Sequence, residues 1–290
     1  MLSCNERNHV VQIQQKNSPL HHRCFKAPLI ALCVIGLFAC DSKQKPLTEE
    51  PKLEQQKNLN PDILPFLNIQ EVPAKYALPF CEKNDCINLD IQTINTQNDW
   101  LNRWIEQSQA KVIQDQIGLN QIMSLQQAVN AYVKKSDAWQ AEFKKNEAYE
   151  LSMDTRIASQ RNQYVLLQVI VHTKQQGVTV KDRGYFFVAD RKNKKELNLL
   201  DLIQKNQQNV LNQIVQEKYK AWLGDQAIDV KKTAPKKLYW GQSDWFFDDE
   251  GVGLHYRANE IIKDGSQLDI YLSKQQTQQV LAPKVFEKMF

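Results

Sequence analysis

YVLLQVIVHTKQQGVTVKDRGYFFVA, residues 164–189, is the stretch of the chain that decides its fold. Tyr164–Thr173 and Gly184–Ala189 are mostly apolar segments rich in β-branched and aromatic residues, which is typical of strands in a sheet. Gln175-Gln176-Gly177 supplies a turn between these two segments. Tyr149–Ile157 has the same strand character, so the three segments predict an antiparallel meander.

The region before the meander changes to a helical period. After a short alternating strand at Ile87–Ile91, Asn98 and Asp99 can cap a helix that runs to Gly118. A second helix is predicted to start after Ser124 and to continue through Trp139 and Phe143. The apolar positions of the first helix recur at helical spacing: Leu101, Trp104, Ile105, Val112, Ile113 and Ile117.

The region after the meander mixes both periods. A charged turn at 190–195 precedes Glu196–Ile203, which is predicted to lead into a helix of about twenty residues ending near Gly224. Further strands and a final helical segment interrupted by Pro283 are predicted at Asp244–Asp248, Val252–Tyr256, Leu268–Leu272 and Thr277–Phe290. We expect an α+β fold in which helices pack on one face of antiparallel sheet, with an N-terminal part at 66–182 and a C-terminal part at 183–290.

An apolar segment near the N-terminus has the features of a secretory signal. Ala27–Ala39 contains about thirteen mostly apolar residues and follows the basic stretch His21–Lys26. This segment is shorter than the roughly 20 residues that span a bilayer. A buried core helix is the alternative, but the segment lacks an amphipathic face. We therefore interpret residues 1–39 as a signal peptide.

Leu37-Phe38-Ala39-Cys40 has the pattern of a lipobox, in which a small residue precedes the cleavage point and a cysteine follows it. The Cys40 thiolate would accept a diacylglyceryl group, and two or three acyl chains give a lasting membrane anchor. Signal cleavage that leaves a free cysteine is the alternative. The sequence thus predicts a protein lipid-anchored to the cell envelope and facing the periplasm, without deciding between the inner and the outer membrane.

The charge balance of the chain excludes nucleic acid as a partner. Residues 1–39 hold 4 of the 37 basic residues and 1 of the 33 acidic ones, which leaves a remainder of 33 against 32, or +1. A nearly neutral chain lacks the dense basic face that nucleic-acid binding requires. Residues 40–65 are rich in Lys, Glu, Gln and Pro without apolar periodicity, and this pattern predicts a flexible tether.

Cys81 and Cys86 are the two cysteines that follow Cys40. In an oxidising compartment an even pair at this spacing favours a disulfide that closes a short turn before a strand. A metal site or a redox pair is the alternative, but His172 and His255 stand far from other candidate ligands and the spacing is not Cys-x-x-Cys. We predict no metal and no cofactor.

Aromatic residues near the C-terminus present two alternatives. Trp240, Trp245, Phe246 and Tyr256 could form a ligand face for a sugar or a protein, or they could fill the core beneath the last sheet. Strand alternation places Trp245 and Phe247 on one side and Phe246 on the other. Asp248, Asp249 and Glu250 could act as an acid and a base on a glycan, but the adjacent Gly251 favours a turn.

Two longer signatures resemble a known family. Arg183–Asp190 followed by Leu197–Ile203 resembles a strand, a charged turn and an L-x-L-x-D-L entry to a helix. Asp244–Tyr256 resembles an F-x-x-x-x-G segment followed by an apolar strand, and Tyr271-Leu272 falls where the family has its closing strand. Together they are similar to the extracytoplasmic region of RsiV-type anti-sigma factors, which is also appended to some peptidoglycan deacetylases.

The resemblance implies a non-catalytic module that binds a cell-wall-related ligand, with a lysozyme-like muramidase or peptidoglycan as the partner. A chain cut before Cys40 would keep neither a spanning helix nor a cytoplasmic domain, so direct control of a sigma factor is not expected. No catalytic motif such as Gly-x-Ser-x-Gly or His-Glu-x-x-His is present. An envelope enzyme or accessory factor acting on peptidoglycan, and a lipoprotein that organises an envelope complex, are the alternative functions.

Overall fold

The computed structural model describes residues 64–81, 85–257, 260–262 and 266–290, all of them within one compact unit, Gln56–Phe290. The predicted signal peptide, Cys40 and nearly all of the predicted tether lie outside the described residues. The strands are β1 Ile69–Pro73, β2 Asn88–Thr96, β3 Glu150–Arg161, β4 Tyr164–Gln175, β5 Val178–Asp190, β6 Lys195–Glu196, β7 Asp244–Phe247, β8 Val252–Tyr256 and β9 Leu268–Tyr271. The helices are α1 Asp99–Gln116, α2 Leu125–Glu142, α3 Leu199–Leu202, α4 Gln208–Gly224, α5 Ile228–Thr233, α6 Lys274–Val280 and α7 Pro283–Met289.

A six-stranded sheet contains the predicted meander. Its strand order is β1-β2-β3-β4-β5-β6, and every neighbouring pair is antiparallel except β2 and β3, which are parallel. The parallel pair arises because α1 and α2 connect β2 to β3 and return the chain to the same end of the sheet. The α+β class is confirmed, and β1 and the parallel pair are features that the sequence did not predict.

The turn and cap residues behave as their chemistry dictates. Gln176 and Gly177 have φ of 51° and 76°, the left-handed conformation that a two-residue hairpin turn between β4 and β5 requires. The Asn98 side chain accepts a hydrogen bond from the Leu101 amide at the start of α1. Ser124 and Gln127 form a capping box at the start of α2. Both helix starts therefore lie where the sequence predicts them.

Helices α1 and α2 cover one face of the six-stranded sheet. The side chains of β4 that face these helices are fully apolar, Val165, Leu167, Val169 and Val171. On the opposite face, Tyr164 and Leu166 belong to a second core together with α4 and the three-stranded sheet β7-β8-β9. Further along that opposite face, Gln168, Ile170 and His172 remain partly exposed. The C-terminal part thus covers only one end of this face.

One helix prediction differs from the structure. The helix expected to continue from Glu196–Ile203 is broken into α3 and α4, because Ile203 forms a β-bridge with Leu281 and the Gln204 amide donates to the Val280 carbonyl. The predicted interruption of the last helical segment at Pro283 is confirmed. The segment is divided at Leu281-Ala282, and Pro283 begins α7, where its missing N–H costs nothing.

The first described residues contact the six-stranded sheet. The Leu64 amide donates to Asn162 Oδ1, and the Pro65 carbonyl accepts hydrogen bonds from Gln160 and Arg191. Leu64 and Pro65, at the end of the predicted tether, are therefore hydrogen-bonded to the folded region. The proposed division at 182/183 falls within β5. Within the described ranges, no helix is both long enough and apolar enough to cross a membrane.

Candidate functional site

A cleft of about 660 Å³ lies where the open face of β3 and β4 meets the three-stranded sheet, and we call it the junction cleft. Strands from both sheets and the segment before β1 form its walls. It is lined by Phe66, Arg156, Ala158, Ser159, Gln160, Arg161, Leu166, Gln168, Phe186, Phe246, Phe247, Asp248, Asp249, Asp269 and Tyr271. Aromatic rings and charged side chains therefore share one concave surface, as is typical of binding sites.

Strand β9 contributes Asp269 and Tyr271 to the cleft, because its side chains point alternately to the core and to the opposite face. Leu268 and Ile270 are buried in the core, while Asp269 and Tyr271 are exposed on the other face of the strand. Tyr271 is 43% exposed, and its ring packs edge-on against Phe246 at a centroid distance of 5.2 Å. Phe246 in turn lies 5.0 Å from Phe186 of β5. This aromatic row connects the two sheets at the base of the cleft.

Gly253 makes room for that aromatic row. A Cβ atom placed at position 253 would lie 2.1 Å from Cζ of Phe246, a distance that no side chain tolerates. Gly253 pairs with Phe246 on one side and with Tyr271 on the other. The absence of a side chain on the middle strand therefore allows the Phe246 ring to lie across it and reach Tyr271.

Beside the aromatic row lies a polar row formed by Asp244, His255 and Asp269, which are register partners on β7, β8 and β9. His255 is 3% exposed, and its Nδ1 lies 2.6 Å from Oδ1 of Asp269. Its Nε2 has no hydrogen-bond partner among the described residues and faces Gly184. His255 is therefore a buried histidine that supports a carboxylate of the cleft.

Asp244, at one end of the polar row, also belongs to a cluster of charged side chains. Its Oδ2 accepts a hydrogen bond from the Phe186 amide, which satisfies one N–H on the edge of β5 that β6 does not pair. Burial raises the pKa of Asp244 from 3.8 to about 6, while the nearby guanidinium of Arg257 opposes the shift. Arg257 also pairs with Glu260 at 2.8 Å and lies over the Tyr185 ring. This cluster joins β5 to the three-stranded sheet.

The turn between β7 and β8 forms the acidic rim of the cleft. Asp248 Oδ1 accepts hydrogen bonds from the amides of Glu250 and Gly251, and the Asp248 amide donates to the Gly251 carbonyl. The prediction of a turn at these acidic residues is confirmed. Burial raises the pKa of the Tyr271 phenol, and the charges of Asp269, Asp248 and Glu250 raise it further. Three carboxylates therefore lie near enough to Tyr271 to act on its phenol.

Two arginines on β3 line the opposite wall. Arg161 forms an ion pair with Asp249, and Arg156 Nε donates to Gln168 Oε1 over 2.6 Å. Both guanidinium groups thus have partners on the protein. The negative charge around Tyr271 is not cancelled by these contacts, because neither arginine pairs with Asp248 or Asp269 in the described structure.

The aromatic residues proposed from sequence as a ligand face are core residues. Trp240, Trp245, Phe246 and Tyr256 are between 2% and 8% exposed. Trp245 Nε1 donates to the Leu197 carbonyl and the Tyr256 hydroxyl donates to the Tyr239 carbonyl, so their polar atoms are satisfied internally. These four side chains are therefore buried, and Phe246 alone among the four lines the junction cleft. The predicted alternation is correct, since Trp245 contacts Phe247 while Phe246 faces the cleft.

The remaining predicted sites lie elsewhere. The Sγ atoms of Cys81 and Cys86 are 2.08 Å apart, so the pair has disulfide geometry. His172 lies on the open sheet face, where its Nδ1 accepts a hydrogen bond from the Asp182 amide. Among the described residues no group of three or more His, Cys, Asp or Glu side chains could hold a metal ion.

Comparison with known structures identifies proteins of similar fold. No protein-family model matches this chain, and a search of curated proteins found no match. The fold is similar to that of DUF3298 family proteins. A crystal structure of one from Pseudomonas aeruginosa matches with a TM-score of 0.59 and 16% identity over 77% of this chain and 97% of that chain. Another, from Bacteroides fragilis, matches with a TM-score of 0.52 and 13% identity over the same shares.

Proposed function

We propose that this chain is a lipid-anchored envelope protein that acts as a non-catalytic binding module for a cell-wall-related ligand. The lipobox that ends at Cys40 supports the anchor and its periplasmic side. The DUF3298-like fold is consistent with the sequence resemblance to the extracytoplasmic region of RsiV-type anti-sigma factors. That resemblance motivates the choice of a wall-related ligand.

The junction cleft is the observation that carries the proposal. It is open, it is formed by rigid strands of two sheets, and it presents a half-exposed tyrosine beside charged side chains. Tyrosine and arginine are the residues that most often dominate binding energy at protein interfaces. A preformed surface of this kind is suited to binding without a conformational change.

A lysozyme-like muramidase is the ligand that we favour. Lysozyme is the ligand implied by the resemblance, and basic members of that class carry a positive surface. Asp248, Glu250 and Asp269 give the cleft a negative rim that would attract such a surface and accelerate encounter. Binding would therefore depend on ionic strength.

Retention of lysozyme on the immobilised protein tests this function. The full-length chain purified in detergent is coupled to a resin and incubated with a basic lysozyme at low salt, with the heat-denatured chain as the control. We expect retention on the native resin only and elution with added salt. Retention no greater than on the denatured control would remove lysozyme as the ligand. Release of acetate or muropeptides from peptidoglycan would instead support an envelope enzyme.

A further inference from the structure

We propose that the junction cleft binds a lysine or arginine side chain of the partner protein, with Tyr271 as the central contact. The inference rests on the proposed binding function and assigns the chemistry of recognition to particular residues. It requires an accessible aromatic surface, surplus negative charge beside it, and carboxylates that are held in place before the ligand arrives.

Tyr271 provides the accessible aromatic surface. Its side chain is 43% exposed although it sits on a strand of the folded core. Phe246 contacts the Tyr271 ring edge-on, which fixes the ring and leaves part of it open to the cleft. A cation within about 6 Å of such a ring gains cation–π energy, and the gain increases when water is excluded. A concave cleft provides that exclusion.

The charges around Tyr271 select a cation. Asp248, Glu250 and Asp269 all lie close enough to influence the phenol. On the opposite wall, Arg161 pairs with Asp249, whereas Arg156 donates to the neutral Gln168 and keeps its positive charge. The carboxylates near Tyr271 and along the cleft nevertheless outnumber these two guanidinium groups: Asp248, Asp249, Glu250 and Asp269. A positive ligand group that enters beside Tyr271 therefore meets more carboxylates than guanidinium groups. A phosphate-bearing lipid surface would be repelled by the same arrangement.

Two of these carboxylates are held by the fold. Asp269 lies 2.6 Å from the Nδ1 of His255, whose side chain is only 4% exposed. Asp248 is fixed by two backbone amides of its own turn, those of Glu250 and Gly251. An ordinary surface carboxylate moves freely and loses side-chain entropy on binding. Because Asp248 and Asp269 are already ordered, a smaller part of the binding energy is lost to ordering.

Two variants test the assignment, and each has a matched control. Tyr271→Ala removes the ring, and Tyr239→Ala is its control, because Tyr239 is 57% exposed and does not line the junction cleft. Asp248→Asn combined with Glu250→Gln removes two charges, and Asn can still accept the turn hydrogen bonds. Glu106→Gln combined with Glu217→Gln removes two exposed charges from α1 and α4. Circular dichroism and thermal melts confirm that each variant is folded.

The dissociation constant for lysozyme is measured by calorimetry with the full-length chain. We expect it to rise about ten-fold or more for Tyr271→Ala and for the Asp248/Glu250 variant, and by less than about two-fold for both controls. Unchanged affinity in both cleft variants would overturn the cleft assignment while leaving the binding function in place.

An octalysine peptide separates the cleft assignment from the choice of lysozyme. One outcome is that the wild-type chain does not bind lysozyme, whereas octalysine shifts the Tyr271 ring resonances and does so more weakly in the Asp248/Glu250 variant. That outcome would support the cation site and rule out lysozyme as the partner. Absence of both interactions overturns both proposals. Binding of soluble muropeptides that depends on Tyr271, without any binding of octalysine, would also overturn the cation site and indicate a glycan site.

Discussion

The Nδ1 atom of His255 lies 2.6 Å from Oδ1 of Asp269, and this contact connects the interior of the three-stranded sheet to the wall of the junction cleft. His255 is 3% exposed, whereas the Asp269 side chain is 39% exposed. The carboxylate therefore has one oxygen held by a buried imidazole while its side chain remains accessible from the cleft. The order of the cleft wall depends on this interior contact.

Replacing His255 with leucine tests that dependence. His255→Leu removes the partner of Asp269, and we expect the free energy of unfolding to fall by about 1–2 kcal/mol, because a partly buried carboxylate loses a hydrogen bond. His172→Leu is the matched control, since His172 is partly exposed on the open sheet face and should change stability by less than about 1 kcal/mol. Urea denaturation measures both values. Equal losses in the two variants would contradict the role given to His255.

Gly253→Ala is expected to destabilise the protein by about 1–3 kcal/mol, because the new methyl group would overlap the Phe246 ring and force the aromatic row to move. Gly224→Ala is the control: a Cβ there meets nothing within 4 Å, so the change should be neutral or slightly stabilising. The two free energies of unfolding come from guanidinium titrations. If Gly253→Ala were as stable as the wild type, the Phe246 ring would have to be able to adopt another position without loss of stability.

The pH dependence of stability should contain a contribution from Asp244. Its pKa is raised from 3.8 to about 6 in the folded chain, so the native state binds this proton more tightly than the unfolded state does. The penalty for the buried charge is fully present above about pH 6. It disappears as the pH falls towards about 4, and this group then favours folding by up to about 3 kcal/mol relative to neutral pH.

Comparison with Asp244→Asn isolates this contribution from those of other groups. Asparagine resembles the protonated acid, so the variant should gain stability over the wild type at pH 7.5 and lose that advantage at pH 4.5. Asp229→Asn, at an exposed position on α5, is the control. Its free energy of unfolding should change between the two pH values by the same amount as that of the wild type. Urea denaturation at the two pH values measures the difference. A difference that does not change with pH would mean that Asp244 titrates normally.

Anchoring through Cys40 has a direct chemical test. The proposal predicts that the mature N-terminal peptide begins at Cys40 and carries the mass of a diacylglyceryl group, with a further acyl chain where the cell adds one. Cys40→Ser should abolish labelling by palmitate and release the protein from washed membranes. Cys81→Ser is the control and should leave labelling intact. An unmodified Cys40 in the mature protein would rule out the anchor.

Local sequence rules were sufficient for most elements of the fold. The caps at Asn98 and Ser124, the turn at Gln176-Gly177 and the acidic turn before Gly251 depend on residues within a few positions of each other. These interactions are short-range, so the sequence shows them directly. The parallel pairing of β2 with β3 was missed because it depends on how α1 and α2 pack, which is a tertiary property.

The candidate site was harder to predict than the fold. Aromatic content points to Trp240, Trp245 and Tyr256, which the structure buries, whereas the exposed aromatic rings of the cleft are Phe66 and Tyr271. Alternation within Leu268–Tyr271 does place Asp269 and Tyr271 on one face of β9. What the sequence lacks is the register that sets this face beside Phe246 and His255, and the long-range packing that brings β3 to the opposite wall.

Calorimetric titration of the full-length chain with a basic lysozyme tests the central claim most directly. We expect saturable binding that weakens as salt is raised. The affinity should fall about ten-fold or more in Tyr271→Ala, while Tyr239→Ala should bind like the wild type. Heat changes indistinguishable from those of dilution, at protein concentrations where the chain is folded, would contradict the claim that this protein binds a lysozyme-like ligand.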